Sequence, residues 1–462
     1  MELSKLDGMI VQKKTSRCTH CSSNGACIYC APLEPYDPTY LKENGIKFMS
    51  FHAYLRKLTR EKTKFAAIDD INMKIKPGCS KGCVWPKSIC SACQPAALTL
   101  NRQQYRHVDN IEFENPQIVD EFLAYWRATG SQRAGYLFGR YERYILKVLY
   151  NELDDNILLF PSRFPQTPLG IKAVVVAIYE PPQECSRDHI RLIPDENEGR
   201  IEEISKGLGL QRIGWIFTDL VSDSKGVKHT RKIDTHFLSS QECIMAGFLQ
   251  NKFPNATKMA SSGKHGSKFV TVVVTGNAER EVHMEGYQVS NQCMALVREN
   301  ILCPTKDAPE LGYVRESSSK QYVPDVFFKE KDKYGNEVTK LARPLPVEYL
   351  LIDIAVATPL NPVQSFRNGF PVENRPMEGQ LQDFASLASQ RLKEPNLPDF
   401  FRDFHLLLYL GTQTVHPLDQ ELLQPLLAAI RDEKNEKIFA WAESSHWHTI
   451  EALIQMNNDG YQ

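Results

Sequence analysis

Eight of the chain's 12 cysteines fall between Cys18 and Cys93, in two short clusters. The first reads Cys18-Thr-His20-Cys21-Ser-Ser-Asn-Gly25-Ala-Cys27-Ile-Tyr-Cys30. The second reads Cys79-Ser-Lys-Gly82-Cys83-Val-Trp85-Pro86-Lys-Ser-Ile-Cys90-Ser-Ala-Cys93. Met1–Gln12 has no apolar core of a secretion leader, so paired cysteines point to metal rather than disulfides. Zinc takes four tetrahedral Cys or His ligands, and each cluster offers four from two turns. A site filled by protein has no place for water, which makes it structural rather than catalytic. The first cluster has one ligand too many. Spacing favours Cys18, Cys21, Cys27 and Cys30, and His20 competes with Cys21. Residues 1–104 therefore read as a double zinc-binding module. Between the clusters, Phe48–Leu58 has helical apolar spacing, and His52 reads as a core histidine.

Charge divides the 462 residues unevenly. Residues 1–107 carry 17 Lys/Arg against 8 Asp/Glu, while the whole chain nets −1. A basic head on an acidic body predicts an acidic partner for the head. No apolar run approaches the ~18 residues of a membrane helix. The other four cysteines, Cys185, Cys243, Cys293 and Cys303, read as small hydrophobes.

Residues 105–291 interleave helices and strands in an α/β layout, within an α+β multidomain chain. Ile118–Ala128 and Glu202–Leu208 read as helices, and Thr235–Gln250 as a helix with a cap signal at Ser239. Gln132–Tyr141, Ile171–Glu180 and Gln211–Leu220 read as strands. Lys268–Thr275 and Glu281–Val289 pair as a hairpin across Gly276-Asn277. This order, with Gly135-x-x-x-Gly139, Gly214-Trp215 and Leu238-Ser239, resembles the MPN domain. Active members of that fold hold a hydrolytic zinc with two His and an Asp, and use a Glu as general base. At the matching positions this chain has Phe217, Asp219, Glu242 and Gln132. A phenyl ring offers no lone pair and an amide takes no proton at neutral pH. The resemblance thus implies a JAMM-like fold without its metal site. The lone His446-Trp-His448 reads as a pair of partly exposed polar residues beside a Trp.

Residues 292–462 read as a mixed C-terminal domain. A helix over Asn291–Ile301 leads to a long irregular stretch, Cys303–Arg343, rich in charge and aromatics. Its interleaved aromatics argue against disorder and for an extended segment packed on the surface. Tyr349–Val356 reads as a buried strand. Phe384–Leu392, Phe401–Leu410, Leu418–Ala440 and Trp447–Met456 read as helices.

Specific stretches spread over the chain carry a family resemblance. They include Met49-Ser-Phe-His-Ala-Tyr-Leu-Arg-Lys-Leu58, Ile89-Cys-Ser-Ala-Cys-Gln-Pro-Ala-Ala-Leu98, Ile213-Gly-Trp-Ile-Phe-Thr-Asp-Leu-Val221 and Leu341-Ala-Arg-Pro-Leu-Pro-Val-Glu-Tyr349. In these the chain resembles the nuclear protein localization protein 4 family. The resemblance implies a non-catalytic adaptor of valosin-containing protein, a hexameric AAA+ ATPase. Such adaptors work as a heterodimer with the ubiquitin fusion degradation protein. They bind polyubiquitin, hold an unfolded ubiquitin in a groove and deliver substrates for proteasomal degradation, including from the endoplasmic reticulum. The implied locations are cytoplasm and nucleus, with peripheral association to endoplasmic reticulum and nuclear envelope. The resemblance selects Cys18, His20, Cys27 and Cys30 for one zinc, and Cys79, Cys83, Cys90 and Cys93 for a second. Cys83 stands where the family usually has His. Tyr322, Asp325 and Phe327 are the expected contacts to the unfolded segment. A ubiquitin-like domain before Met1 and a zinc finger after Gln462 are expected in relatives, so ATPase binding by this chain alone is expected to be weak. Two rival readings are an active zinc deubiquitinase and a zinc-dependent nucleic-acid binder. The first lacks the ligands, and the second lacks a dense basic run.

Overall fold

A strand that is apolar at nearly every position must be covered on both faces. Ile171–Tyr179 is such a strand, buried at every residue but Lys172. In the computed structural model, which describes residues 3, 6–10, 31–61, 68, 71–144, 167–377 and 379–459, it sits in a closed barrel. The barrel strands are β1 (Asn110–Phe113), β2 (Ala134–Arg143), β3 (Ile171–Tyr179), β4 (Gln211–Thr218), β5 (Val270–Gly276), β6 (Val282–Val289) and β7 (Leu351–Ala357). Their order is β5-β6-β7-β1-β3-β2-β4, and β4 closes on β5 in parallel, with Gly214 opposite Val270. The hairpin β5/β6 is antiparallel, as its sequence predicts. Strand β7 comes from beyond residue 292, so the barrel crosses the expected 291/292 boundary.

Alternate residues of the strands feed different cores, as the two-residue period requires. Ala173, Val175, Val270 and Val272 point inward with Ile111 and Leu137, where helix Pro116–Thr129 adds Phe122 and Leu123. That helix starts at Asn115, whose side chain accepts from Gln117 N–H, and stops at Gly130 with φ 71°. On one outer flank, Val174 and Val176 pack with Ile204, Phe404, Leu407 and Leu427 of the later helices. On the other, Trp215, Val273 and Val289 pack with Cys243, Leu296 and Val326. Gly135 and Gly139 of β2 are needed for close approach. A Cβ on Gly139 would lie 1.9 Å from the Val174 carbonyl, and one on Gly135 2.5 Å from Ile178 Cγ2.

Two regions differ from their sequence reading. Cys303–Arg343 is built on short strands: Leu311–Val314 pairs with Leu302–Pro304, and Val326–Lys331 pairs with Glu337–Leu341. Val326–Phe328 also pairs in parallel with Leu98–Leu100, joining the head to the body. The second difference is Leu418–Ala440, which forms two helices, Gln420–Arg431 and Asn435–Ala442. The break falls at Glu433, with φ 54°, where the Lys434 amide turns back to the Ala429 carbonyl. His448 is exposed on helix Ser445–Asp459, while Trp447 is fully buried against Phe400 and Phe401. Among the described residues no helix is long and apolar enough to cross a membrane.

One buried ion pair gives a pH signature. His405 Nδ1 lies 2.7 Å from Glu373 Oε2, and both side chains are buried. Burial disfavours the charged ring, but Glu373, with help from Glu121 and Asp403, outweighs it and lifts His405 to about 9. A folded-state value above the unfolded one stabilises the fold fully below about pH 6.5, and that contribution fades as pH rises to about 9. His405→Gln should therefore cost about 1–3 kcal/mol at pH 6 and much less at pH 9. Thermal melts of both proteins across that window check it; a pH-independent difference would contradict the charged pair.

Candidate functional site

The second cysteine cluster forms a compact knuckle with no helix or strand of its own. Tight turns bring the ends of each half together: Gly82 N–H donates to Cys79 O at 3.1 Å and Cys93 N–H to Cys90 O at 3.2 Å. Gly82, at φ 66°, occupies the left-handed region that favours glycine. The ligand atoms of Cys79, Cys83, Cys90 and Cys93 all lie within 4.8 Å of one another. Four sulfurs at ~2.3 Å from one zinc stand ~3.8 Å apart. The Cys79–Cys90 and Cys90–Cys93 sulfurs are 3.6 and 3.5 Å apart, so the donor set fits that ion. The crowding splits the thiols: the Cys93 backbone N–H pulls Cys90 down to about 6, while Cys79 pushes Cys83 up to about 12. A bound metal takes all four as thiolates and releases their protons. The first cluster, with Cys18, His20, Cys21, Cys27 and Cys30, lies outside the described residues.

The knuckle grips a strap of the C-terminal region. Trp85 Nε1 donates to the Ser318 carbonyl at 2.8 Å, and its ring meets that of Tyr322 edge-on at 5.1 Å. Gln94 Nε2 donates to the Tyr322 hydroxyl at 2.6 Å. The Leu98 amide donates to the Asp325 carbonyl at 2.9 Å. Tyr322 is thus turned to the knuckle, the Asp325 side chain is exposed, and Phe327 is half-buried on the next strand. Within the described sheets, strand Glu337–Leu341 is paired only with Val326–Lys331, and all five residues are exposed.

At the end of β4 lie the four positions matched to a hydrolytic centre. Gln132 is buried and saturated: its Oε1 accepts from the Thr218 hydroxyl at 2.8 Å and the Leu220 amide at 3.1 Å. Its Nε2 donates to the Arg187 and Leu220 carbonyls, both at 2.9 Å. Phe217 presents a ring beside Trp215, with centroids 4.7 Å apart. Ser239 caps helix Ser240–Lys252 in a capping box with Glu242, as the sequence predicts. Between Asp219 and Glu242 sits Arg231, a residue the sequence reading did not single out. Its Nε donates to Asp219 Oδ2 at 2.8 Å, and its Nη1 and Nη2 to Glu242 Oε2 and Oε1 at 2.8 and 2.7 Å. Burial opposes charge on Glu242, but this bidentate contact holds its carboxyl below the usual range. The sequence carries no signal that singles it out: Lys225, Lys228, Arg231 and Lys232 all lie between the two acidic positions, and only the fold selects Arg231.

Comparison with known proteins covers both halves of the chain. A family model described as "NPL4 family" matches residues 160–455, and one described as "NPL4 family, putative zinc binding region" matches residues 1–130. A Drosophila melanogaster protein named Nuclear protein localization protein 4 homolog is 52% identical over 99% of this chain and 69% of its own length. The Homo sapiens protein of that name is 51% identical over 98% of this chain and 73% of its own. Nuclear protein localization protein 4 homolog 1 of Caenorhabditis elegans is 42% identical over 98% and 86%.

Proposed function

Because this chain belongs to the NPL4 family, we propose that it is a non-catalytic adaptor that binds polyubiquitin and delivers ubiquitylated substrates to a hexameric AAA+ unfoldase. The observation that carries the non-catalytic part is the chemistry around β4. Phe217 and Gln132 offer neither a metal ligand nor a base, and Gln132 already uses its amide in four hydrogen bonds to Arg187, Thr218 and Leu220. In this reading the barrel is an MPN-type scaffold whose role is shape. Its partners are valosin-containing protein, the ubiquitin fusion degradation protein and polyubiquitin. It works in cytoplasm and nucleus and at the endoplasmic reticulum surface.

The head carries two structural zinc ions in this proposal, one at Cys79, Cys83, Cys90 and Cys93 and one at Cys18, His20, Cys27 and Cys30. The zinc supplies cross-links, while the chain's turns orient the sulfurs. The unfolded segment is held beside Asp325 and Phe327. The support is the one-sided strand Glu337–Leu341, whose outer backbone groups suit pairing with an extended peptide. Charged residues along it, Glu337 and Lys340, guard against indiscriminate pairing.

A reconstituted unfolding assay tests the reading, with ATPase, partner and a polyubiquitylated fluorescent substrate. Leaving out this chain should abolish unfolding. Asp325→Lys and Phe327→Ala together should slow it roughly ten-fold, as loss of one well-buried contact does. Unaltered unfolding by the double variant would remove these two residues from the groove. Chelator-sensitive cleavage of ubiquitin chains in the same mixture would overturn the non-catalytic reading.

A further inference from the structure

The Asp219/Glu242 pocket has the build of a cation site, and its residues do not fit a hydrolytic zinc. Asp219 directly follows barrel strand β4, and Glu242 sits in the first turn of helix Ser240–Lys252. The Arg231 side chain lies between them, only 3% exposed. Its guanidinium makes four hydrogen bonds at 2.6–2.8 Å: one to Asp219, two to Glu242 and one to the Phe237 carbonyl. Phe217 closes the pocket, its ring centroid 5.6 Å from the Arg231 guanidinium carbon.

We propose that Arg231 is a tethered cation that takes the place of a divalent metal between Asp219 and Glu242, closing this pocket to metal and pinning the loop before helix Ser240–Lys252 to the barrel. Two carboxylates and one carbonyl are oxygen ligands of the kind hard divalent ions use. The guanidinium meets the same charge demand with directed N–H donors, and its planar fork matches Glu242 bidentately. Unlike an ion, it cannot be lost to a chelator. A chain built this way gains no hydrolytic centre by raising the zinc supply. Glu242 serves twice, since its Oε2 also accepts from the Ser239 amide at 2.8 Å, so removing the arginine disturbs the helix start as well.

The test uses the zinc-loaded full chain and Mn2+ as probe, because manganese favours oxygen ligands over the thiolates of the head. Wild type should bind no Mn2+ at this pocket by electron paramagnetic resonance. Arg231→Ala should bind one, at least ten-fold more tightly than an Arg231→Ala/Asp219→Asn/Glu242→Gln variant. Arg231→Met should lower Tm by roughly 5–10 °C. Adding Asp219→Asn and Glu242→Gln to it should recover most of that loss. If Arg231→Ala fails to fold, this charge-neutral triple decides: recovery supports a cation role. Equal Tm losses for Arg231→Met and its triple, or Arg231→Ala that folds and takes no Mn2+, would reduce Arg231 to a packing residue. Ubiquitin-chain binding measured in parallel reports on the adaptor reading alone.

Discussion

Stripping the proposed zinc from the Cys79–Cys93 knuckle, or replacing Cys93 by Ser, will free the Ser317–Asp325 strap as well as unfold the knuckle. The knuckle has no helix or strand to hold it, and Cys93 is the one buried ligand among its four cysteines. A structural zinc contributes about 10–16 kcal/mol to such a fold, far more than its few backbone hydrogen bonds. Through Trp85 and Gln94 the same knuckle holds the Ser318 carbonyl and Tyr322. Losing two hydrogen bonds and a ring contact at about 1 kcal/mol each raises local opening roughly 100-fold. Amide exchange across Ser317–Val323 should rise by that factor after chelation, while exchange in β3 stays slow. Trp85→Ala, which removes one hydrogen bond and the ring contact, should give a roughly 30-fold rise with zinc content unchanged. Strap protection that survives metal removal would show that the body alone holds Tyr322. In the proposed adaptor the knuckle then does more than fold the head. It fixes the entry to the strand that carries Phe327.

What was legible in the sequence follows the range of the interactions. The knuckle could be read because ligand chemistry is local: four sulfurs lie within 15 consecutive residues. The Ser239/Glu242 cap and the strand β3 were legible for the same reason, since a capping box and an apolar run need no distant partner. The strands Val326–Lys331 and Glu337–Leu341 were not. They are short and carry charge on both faces, and one of them takes its register from Leu98–Leu100, more than 200 residues earlier. The break at Glu433 was hidden because apolar residues continue the helical period on both sides, Leu426, Leu427 and Ile430 before it and Ile438 and Ala442 after it. At the barrel pocket the sequence told what was missing, in Phe217 and Gln132, and not what had replaced it. Arg231 sits in a polar loop, and only the folded chain brings it between Asp219 and Glu242.

Glu180→Gln should destabilise the chain by about 3–5 kcal/mol, because it takes the hydrogen-bonded counter-charge from two buried guanidinium groups and leaves Arg375 only the weaker influence of Glu121 and Glu373. Glu180 directly follows strand β3, and its side chain is 1% exposed. Its Oε2 accepts from Arg133 Nε at 2.6 Å, and its Oε1 from Arg375 Nη2 at 2.6 Å. The backbone is tied at the same point: Glu180 N–H donates to Glu373 Oε1 and Asn374 Nδ2 to the Glu180 carbonyl, both at 2.8 Å. Arg133 Nη2 reaches the Asn374 carbonyl at 2.6 Å. This cluster therefore joins the barrel to the Glu373–Arg375 segment, which leads into the C-terminal helices. A charge removed here costs more than a surface pair, for which ~1 kcal/mol is an upper figure. The loss should appear first as faster proteolysis between Val363 and Leu381, before the barrel melts. Replacing all three groups together, Arg133→Met, Glu180→Leu and Arg375→Met, removes the charges with their partner and should recover much of the stability, as buried triads elsewhere allow. Glu180→Gln melting within about 1 kcal/mol of wild type would mean that water, and not Glu180, balances the two arginines.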